Sequence, residues 1–131
     1  SIESSNLMIN GGAIVNISSV VGLKGAAYMS AYGAAKAGLI NFSRASAIEA
    51  APYVRVNCVI PGAVLTPATK RAIPNDDLLE ATKNAIPLKR IAEPIELAHP
   101  IIFLLSSAAS FITASSLIVD GGKTGDLNAG N

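Results

Sequence analysis

The chain has 131 residues, enough for one domain with a modest core; 50% are hydrophobic and only 15% charged, with a mean hydropathy of +0.46. A net charge of +1, with Lys and Arg scattered, leaves no electrostatic footprint for nucleic acid, and the longest apolar run, Ile101–Leu105 between Pro100 and Ser106, is far too short to span a membrane. No basic segment followed by an apolar one opens the chain, so no signal peptide is expected, and the single cysteine excludes an internal disulfide and fits a reducing, cytoplasmic setting.

Ala13–Ile17 (AIVNI), after the Gly11–Gly12 turn, reads as a buried strand. Ser30 to about Ala51 reads as a long Ala-rich helix stopped by Pro52, with small residues at Gly33, Ala34, Ala37 and Gly38 that would let another backbone approach. Val54–Ile60 (VRVNCVI) is a second buried strand closed by Pro61–Gly62, and Cys58 within it reads as a small buried hydrophobe. Strand, long helix, strand is a parallel crossover unit. The polar stretch Pro67–Pro87 contains a short helix at Asp76–Asn84, whose acidic first turn suits the helix dipole. Pro94–Ser107 is a further helix, in which Pro100 should introduce a kink or shift the start. Leu117–Val119 is a short last strand before Asp120–Gly121–Gly122, and Lys123–Asn131 is expected to be a flexible tail. The fold class is therefore α/β, with at least three parallel strands and flanking helices. In such sheets ligands bind beyond the carboxyl ends of the strands, which is where Ser18–Ser19 and Pro61–Gly62 fall.

Within NISSVVGLKGAAYMSAYGAAK, Ser19 precedes Tyr32 by thirteen residues and Lys36 follows it by four. Tyr32 and Lys36 thus share one helix face. An ammonium beside a tyrosine favours the phenolate, so the pair suits proton transfer to or from an alcohol while hydride leaves or joins its carbon, with Ser19 holding the substrate oxygen. Alone, Tyr-x-x-x-Lys is a weak signal whose ordinary reading is an exposed tyrosine and a solvated lysine. Tyr28 is followed four residues later by Tyr32, has no lysine partner, and reads as packing or pocket wall. A serine hydrolase is disfavoured: no Gly-x-Ser-x-Gly elbow exists and the sole histidine, His99, lies on another segment, where it reads as a surface residue.

Taken together, GGAIVNISS, YGAAK, VRVNCVIPGAVLTP and PLKRIAEPIELAHPIIFLLSSAASFITASSLIVDGG, in this order, make the chain resemble the short-chain dehydrogenase/reductase family from about Gly11 to Gly122. The resemblance implies a C-terminal portion of a Rossmann-like doubly wound sheet over residues 1–122, with 67–90 as the variable substrate lid. It also implies catalytic roles for Ser19, Tyr32 and Lys36, and nicotinamide contacts from Tyr32, Lys36, Pro61, Gly62, Val64 and Thr66. Asn57 would be structural, and no metal is expected. The implied activity is NAD(P)-dependent interconversion of a secondary alcohol and a ketone by a homo-oligomer, a dimer or a tetramer. The implied cofactor is NAD or NADP, yet no glycine-rich pyrophosphate turn is present, since Gly22–Gly25 lies between the serine and the tyrosine. The family's catalytic asparagine is expected upstream of Ser1. Ala92 and Ala114 stand where glycine is common. The alternative is a truncated, non-catalytic fragment acting as an association module. In the lid, Ile73, Leu78, Leu79 and Ile86 suggest either an apolar pocket wall or the buried face of a lid helix.

Overall fold

The computed structural model describes residues 11–128; the expectations for residues 1–10 and 129–131 lie outside them. Three strands, β1 (Gly12–Ile17), β2 (Val54–Pro61) and β3 (Ser116–Val119), form one parallel sheet with β2 in the centre. The helices are α1 (Ser30–Ala50), α2 (Pro67–Ala72), α3 (Asp76–Asn84) and α4 (Pro94–Leu105). Gly12 pairs with Val54 and Ile17 with Val59; Cys58 pairs with Ser116 and Pro61 with Val119.

The central strand is buried on both faces, from Val56 to Ile60, which is why VRVNCVI is a continuous apolar run and not an alternating one. Alternation shows in what each side chain meets. Cys58 and Ile60 pack with Ile40 of α1, whereas Val59 packs with Leu104 of α4 and Ala109. One helix therefore covers each face, and β2 holds the two layers together. Cys58 is fully buried; that burial pushes its thiol above the ordinary range, against a smaller opposing effect of Ser43 and other neighbours.

Two side chains close gaps between elements that propensity alone leaves open. Arg55 donates through Nη1 to the carbonyls of Leu104 (2.8 Å) and Ile112 (3.2 Å), and through Nη2 to that of Ser106 (3.1 Å). It thereby satisfies the frayed carbonyl end of α4, where a cation also suits the helix dipole. Asn57, buried in β2, donates to the Ile112 carbonyl (2.9 Å) and accepts from the Ser115 amide (3.0 Å), so it fixes the entry into β3.

The boundaries expected from sequence hold to within a residue or two, with one omission and several local differences. The omission is α2: Thr66 caps it by accepting from the Thr69 amide (3.2 Å), and Pro67 opens it, a start signal that the polar composition of the segment obscured. Pro100 does not shift the start of α4, because Glu96 reaches back to the Glu93 amide (2.8 Å) and fixes the helix at Pro94. Ala114 has φ 59°, the left-handed region, which is the physical reason glycine suits this position. Lys123–Gly125, the start of the expected tail, forms a 3-10 turn. Asp120 ties that turn down, accepting from the amides of Gly122 (2.9 Å) and Thr124 (2.8 Å) and from the Thr124 hydroxyl (2.7 Å). Burial pushes the Asp120 carboxyl up, but the hydrogen bonds from Thr124 and then from the Gly122 amide outweigh it and leave the group below its ordinary value. No described helix is long and apolar enough to cross a membrane.

Candidate active site

The ladder hydrogen bonds run on past the strands: the Ser18 amide donates to Val59 (2.9 Å) and the Gly62 amide to Val119 (2.9 Å). Both turns are thereby held on one rim of the sheet, at the carboxyl ends of β1 and β2. Gly62 is required there by space, since a Cβ at this position would lie 2.8 Å from the Asp120 Cβ. After Gly62 the chain crosses to pair Val64 with Ala92 before Thr66 opens α2.

All seven residues singled out in the sequence line one open cleft of about 360 Å3 on this rim: Ser19, Tyr32, Lys36, Pro61, Gly62, Val64 and Thr66. Thr69, Pro94 and Leu97 complete its far wall. Thr69 was missed with the Thr66 cap it partners, the signal that could have found it; nothing local marked Leu97. The four apolar lid residues, Ile73, Leu78, Leu79 and Ile86, do not line it. Ile86 is buried and belongs to a separate small cavity with Asp120 and Gly121, Leu78 is exposed, and Ile73 and Leu79 are half-buried. Tyr28, read as packing or pocket wall, is instead fully exposed, with φ 64°.

Lys36 is held from three sides. Its Nζ donates to the Ile17 carbonyl (3.0 Å) and lies 5.6 Å from the centre of the Tyr32 ring. Its own carbonyl accepts from the hydroxyl of Ser18 (2.7 Å), a residue only 3% exposed. Gly22 packs flat on the same turn of α1, where a Cβ would lie 2.8 Å from the Lys36 carbonyl carbon and from the Ala37 nitrogen. Sequence reasoning left Ser18 and Gly22 without a role, because both act on a residue more than a dozen positions away. With one ammonium proton engaged by Ile17, two remain for groups in the cleft.

Ser19 caps the short 3-10 turn Val20–Gly22, its Oγ accepting from the Val21 amide (3.3 Å). The hydroxyl proton is therefore left to donate elsewhere. Tyr32 is 45% exposed, so its phenol is open to a ligand entering the cleft. The arrangement offers a phenol with a cation at its ring, a free hydroxyl proton, and a wall of backbone and small side chains.

A family model described as enoyl-(acyl carrier protein) reductase matches residues 2–124. The chain is 50% identical over 113 residues to a human 3-oxoacyl-[acyl-carrier-protein] reductase, covering 86% of this chain and 45% of that one. It is 40% identical over 114 residues to a cyclopentanol dehydrogenase of Comamonas sp., covering 86% and 46%. Among solved structures it is similar to a gluconate 5-dehydrogenase from Burkholderia cenocepacia in complex with NADP and tartrate, with a TM-score of 0.86 and 28% identity over 94% of this chain and 49% of that one. The chain thus spans about half the length of the relatives it matches.

Proposed function

The chain belongs to the short-chain dehydrogenase/reductase family, and on that footing we propose that it supplies the catalytic half of an oxidoreductase that interconverts a secondary alcohol and a ketone. One observation carries the reading: Tyr32, Lys36 and Ser19 converge on a single cleft from two different elements, with Lys36 fastened beside the tyrosine ring.

In the oxidative direction, the Ser19 hydroxyl donates to the substrate oxygen and holds it toward Tyr32. The tyrosine oxygen takes the alcohol proton as the carbon–oxygen double bond forms, with the Lys36 ammonium 5.6 Å from the centre of its ring. In reduction the same proton returns from Tyr32 to the carbonyl oxygen. Lys36, Pro61, Gly62, Val64 and Thr66 would hold the nicotinamide end of NAD or NADP, which when bound accepts or supplies the hydride. The cleft suits that end: it has two unengaged ammonium protons for a ribose diol, and a small-residue wall at Gly62 where a ring can lie close. For the pyrophosphate, the described residues contain no glycine-rich turn that opens a helix, and this half of the cofactor needs residues beyond them.

The substrate is a secondary alcohol or ketone, cyclic or acyl-linked; the names of the Comamonas and human relatives span both kinds. In the full-length protein, Tyr32→Phe should lower the hydride-transfer rate by about 10²–10⁴-fold with the fold unchanged by circular dichroism. Activity retained in that variant would sink the mechanism.

A second reading, self-association, rests on the outer face of α1. Phe42 (61% exposed) and Ile48 (75%) stand there beside exposed Ala34, Ala37 and Gly38. Such an apolar, small-residue face suits a second copy of the same helix in a dimer or tetramer. Light scattering after size exclusion would give twice or four times the protomer mass; a monomer at tens of micromolar would refute it.

A further inference from the structure

A second cavity, of about 270 Å3, begins at Val20, the residue after Ser19 of the active-site cleft, and its wall combines apolar surface from Val20, Val21 and Ala26 with Lys24, Lys123 and Thr124. No acidic residue lines it. The ion pairs among the described residues are Lys83–Glu80 and Arg90–Glu96, so both cavity lysines stand outside them. Asp120, the carboxylate behind Thr124, is already occupied by the amides of Gly122 and Thr124 and by the Thr124 hydroxyl.

One lysine-bearing segment is anchored to Ser19, the other to Asp120 behind Gly62 of the cleft. The Gly22 amide donates to the Ser19 carbonyl (2.8 Å), and the Lys24 amide donates to the carbonyl of Val20 (3.0 Å), so the turn that carries Lys24 is folded directly onto Ser19. The Lys123 amide donates to the Asp120 carbonyl (3.3 Å), and Asp120 is the residue on which Gly62 of the cleft packs. A molecule with its oxygen at Ser19 that extended along Val20–Val21, the next two residues of the chain, would reach a cavity lined by two cations.

We propose that this cavity receives the far end of the substrate and that this end is anionic, a carboxylate or a phosphate, held by Lys24 and Lys123. The proposal rests on the dehydrogenase reading for the orientation of the substrate, but the binding of the anion is independent of turnover.

The test is an amide-shift titration of the protein, in low-salt buffer free of phosphate, with three carbonyl probes: levulinate, its neutral methyl ester and dihydroxyacetone phosphate. At least one anion should bind about tenfold more tightly than the ester, the tighter of the two naming the source of the charge. That preference should disappear in the Lys24→Gln/Lys123→Gln double variant, weaken with added salt, and persist in Lys70→Gln. Equal affinity for all three probes, no binding of any, or a preference that survives the double variant would overturn the assignment. Turnover of the bound anion with NADH or NADPH is scored separately in the full-length protein: binding without turnover leaves the cavity assignment standing and counts only against the dehydrogenase reading.

Discussion

Replacing Gly22 by alanine isolates the contact that seats Lys36. The backbone at Gly22 is not in the left-handed region, so any effect comes from contact alone. The new methyl would meet the Lys36 carbonyl carbon and the Ala37 nitrogen at 2.8 Å and the Lys36 Cβ at 3.1 Å. Ordinary carbon contacts are about 3.5–4.0 Å, so the helix or the turn must yield by about 0.7 Å. The obstructing atoms are main chain, which cannot rotate away, and overpacking of this kind costs about 1–3 kcal/mol. With a typical dependence on denaturant, the urea midpoint should fall by about 1 M. The same displacement moves Lys36 relative to Ser18, Ile17 and the cleft. Misplacement on the order of 1 Å can cost about 10²-fold in rate, so kcat in the full-length protein should fall at least about tenfold among molecules that remain folded. Gly25→Ala is the control, because a Cβ there meets nothing within 4 Å. If Gly22→Ala matches Gly25→Ala within about 0.5 kcal/mol and keeps its kcat, the seating of Lys36 by Gly22 is wrong.

Other perturbations probe the frame around the site. Ala114→Gly should stabilise the protein by about 0.5–1 kcal/mol, the relief of a left-handed alanine less the added freedom of glycine, read as a higher melting temperature; an unchanged or lower value refutes it. Arg55→Met should destabilise by about 2–4 kcal/mol, since three carbonyls lose their donor, and Arg55→Lys should recover only part of that; equal stability of the methionine variant and wild type would contradict the role. The Arg90 guanidinium grips Glu96 through two 2.6 Å hydrogen bonds and, with the Glu93 amide, holds its carboxyl at about 2, well below the ordinary 4.5. A carboxyl depressed on folding contributes stability that is complete above its unfolded value and is lost as the pH falls from about 4.5 toward 2. Asp120, also depressed, acts in the same direction. Acid titrations should therefore show the wild type losing stability over that window, and Arg90→Gln losing less; parallel curves would exclude the pair as a contributor.

The residues that determine this fold from the sequence alone act over short distances. Pro52, Pro61–Gly62 and the acidic start of α3 each bound an element through atoms within a few positions. The unbroken apolar run of β2 likewise announces burial on both faces before any partner is known. The helical spacing of Tyr32 and Lys36 was legible in the same way. Their convergence with Thr66 followed only from the family resemblance, and the fastening of Lys36 by Ile17, Ser18 and Gly22 was not legible at all. Nor was the stitching of Arg55 to carbonyls 49, 51 and 57 residues away. Local chemistry sets where helices and strands start and stop, because capping and periodicity are read within one or two turns. Which backbone lies against which, how close Gly22 comes to α1, and which lysines share a cavity depend on how β1, β2 and β3 align, and only the packed sheet decides that.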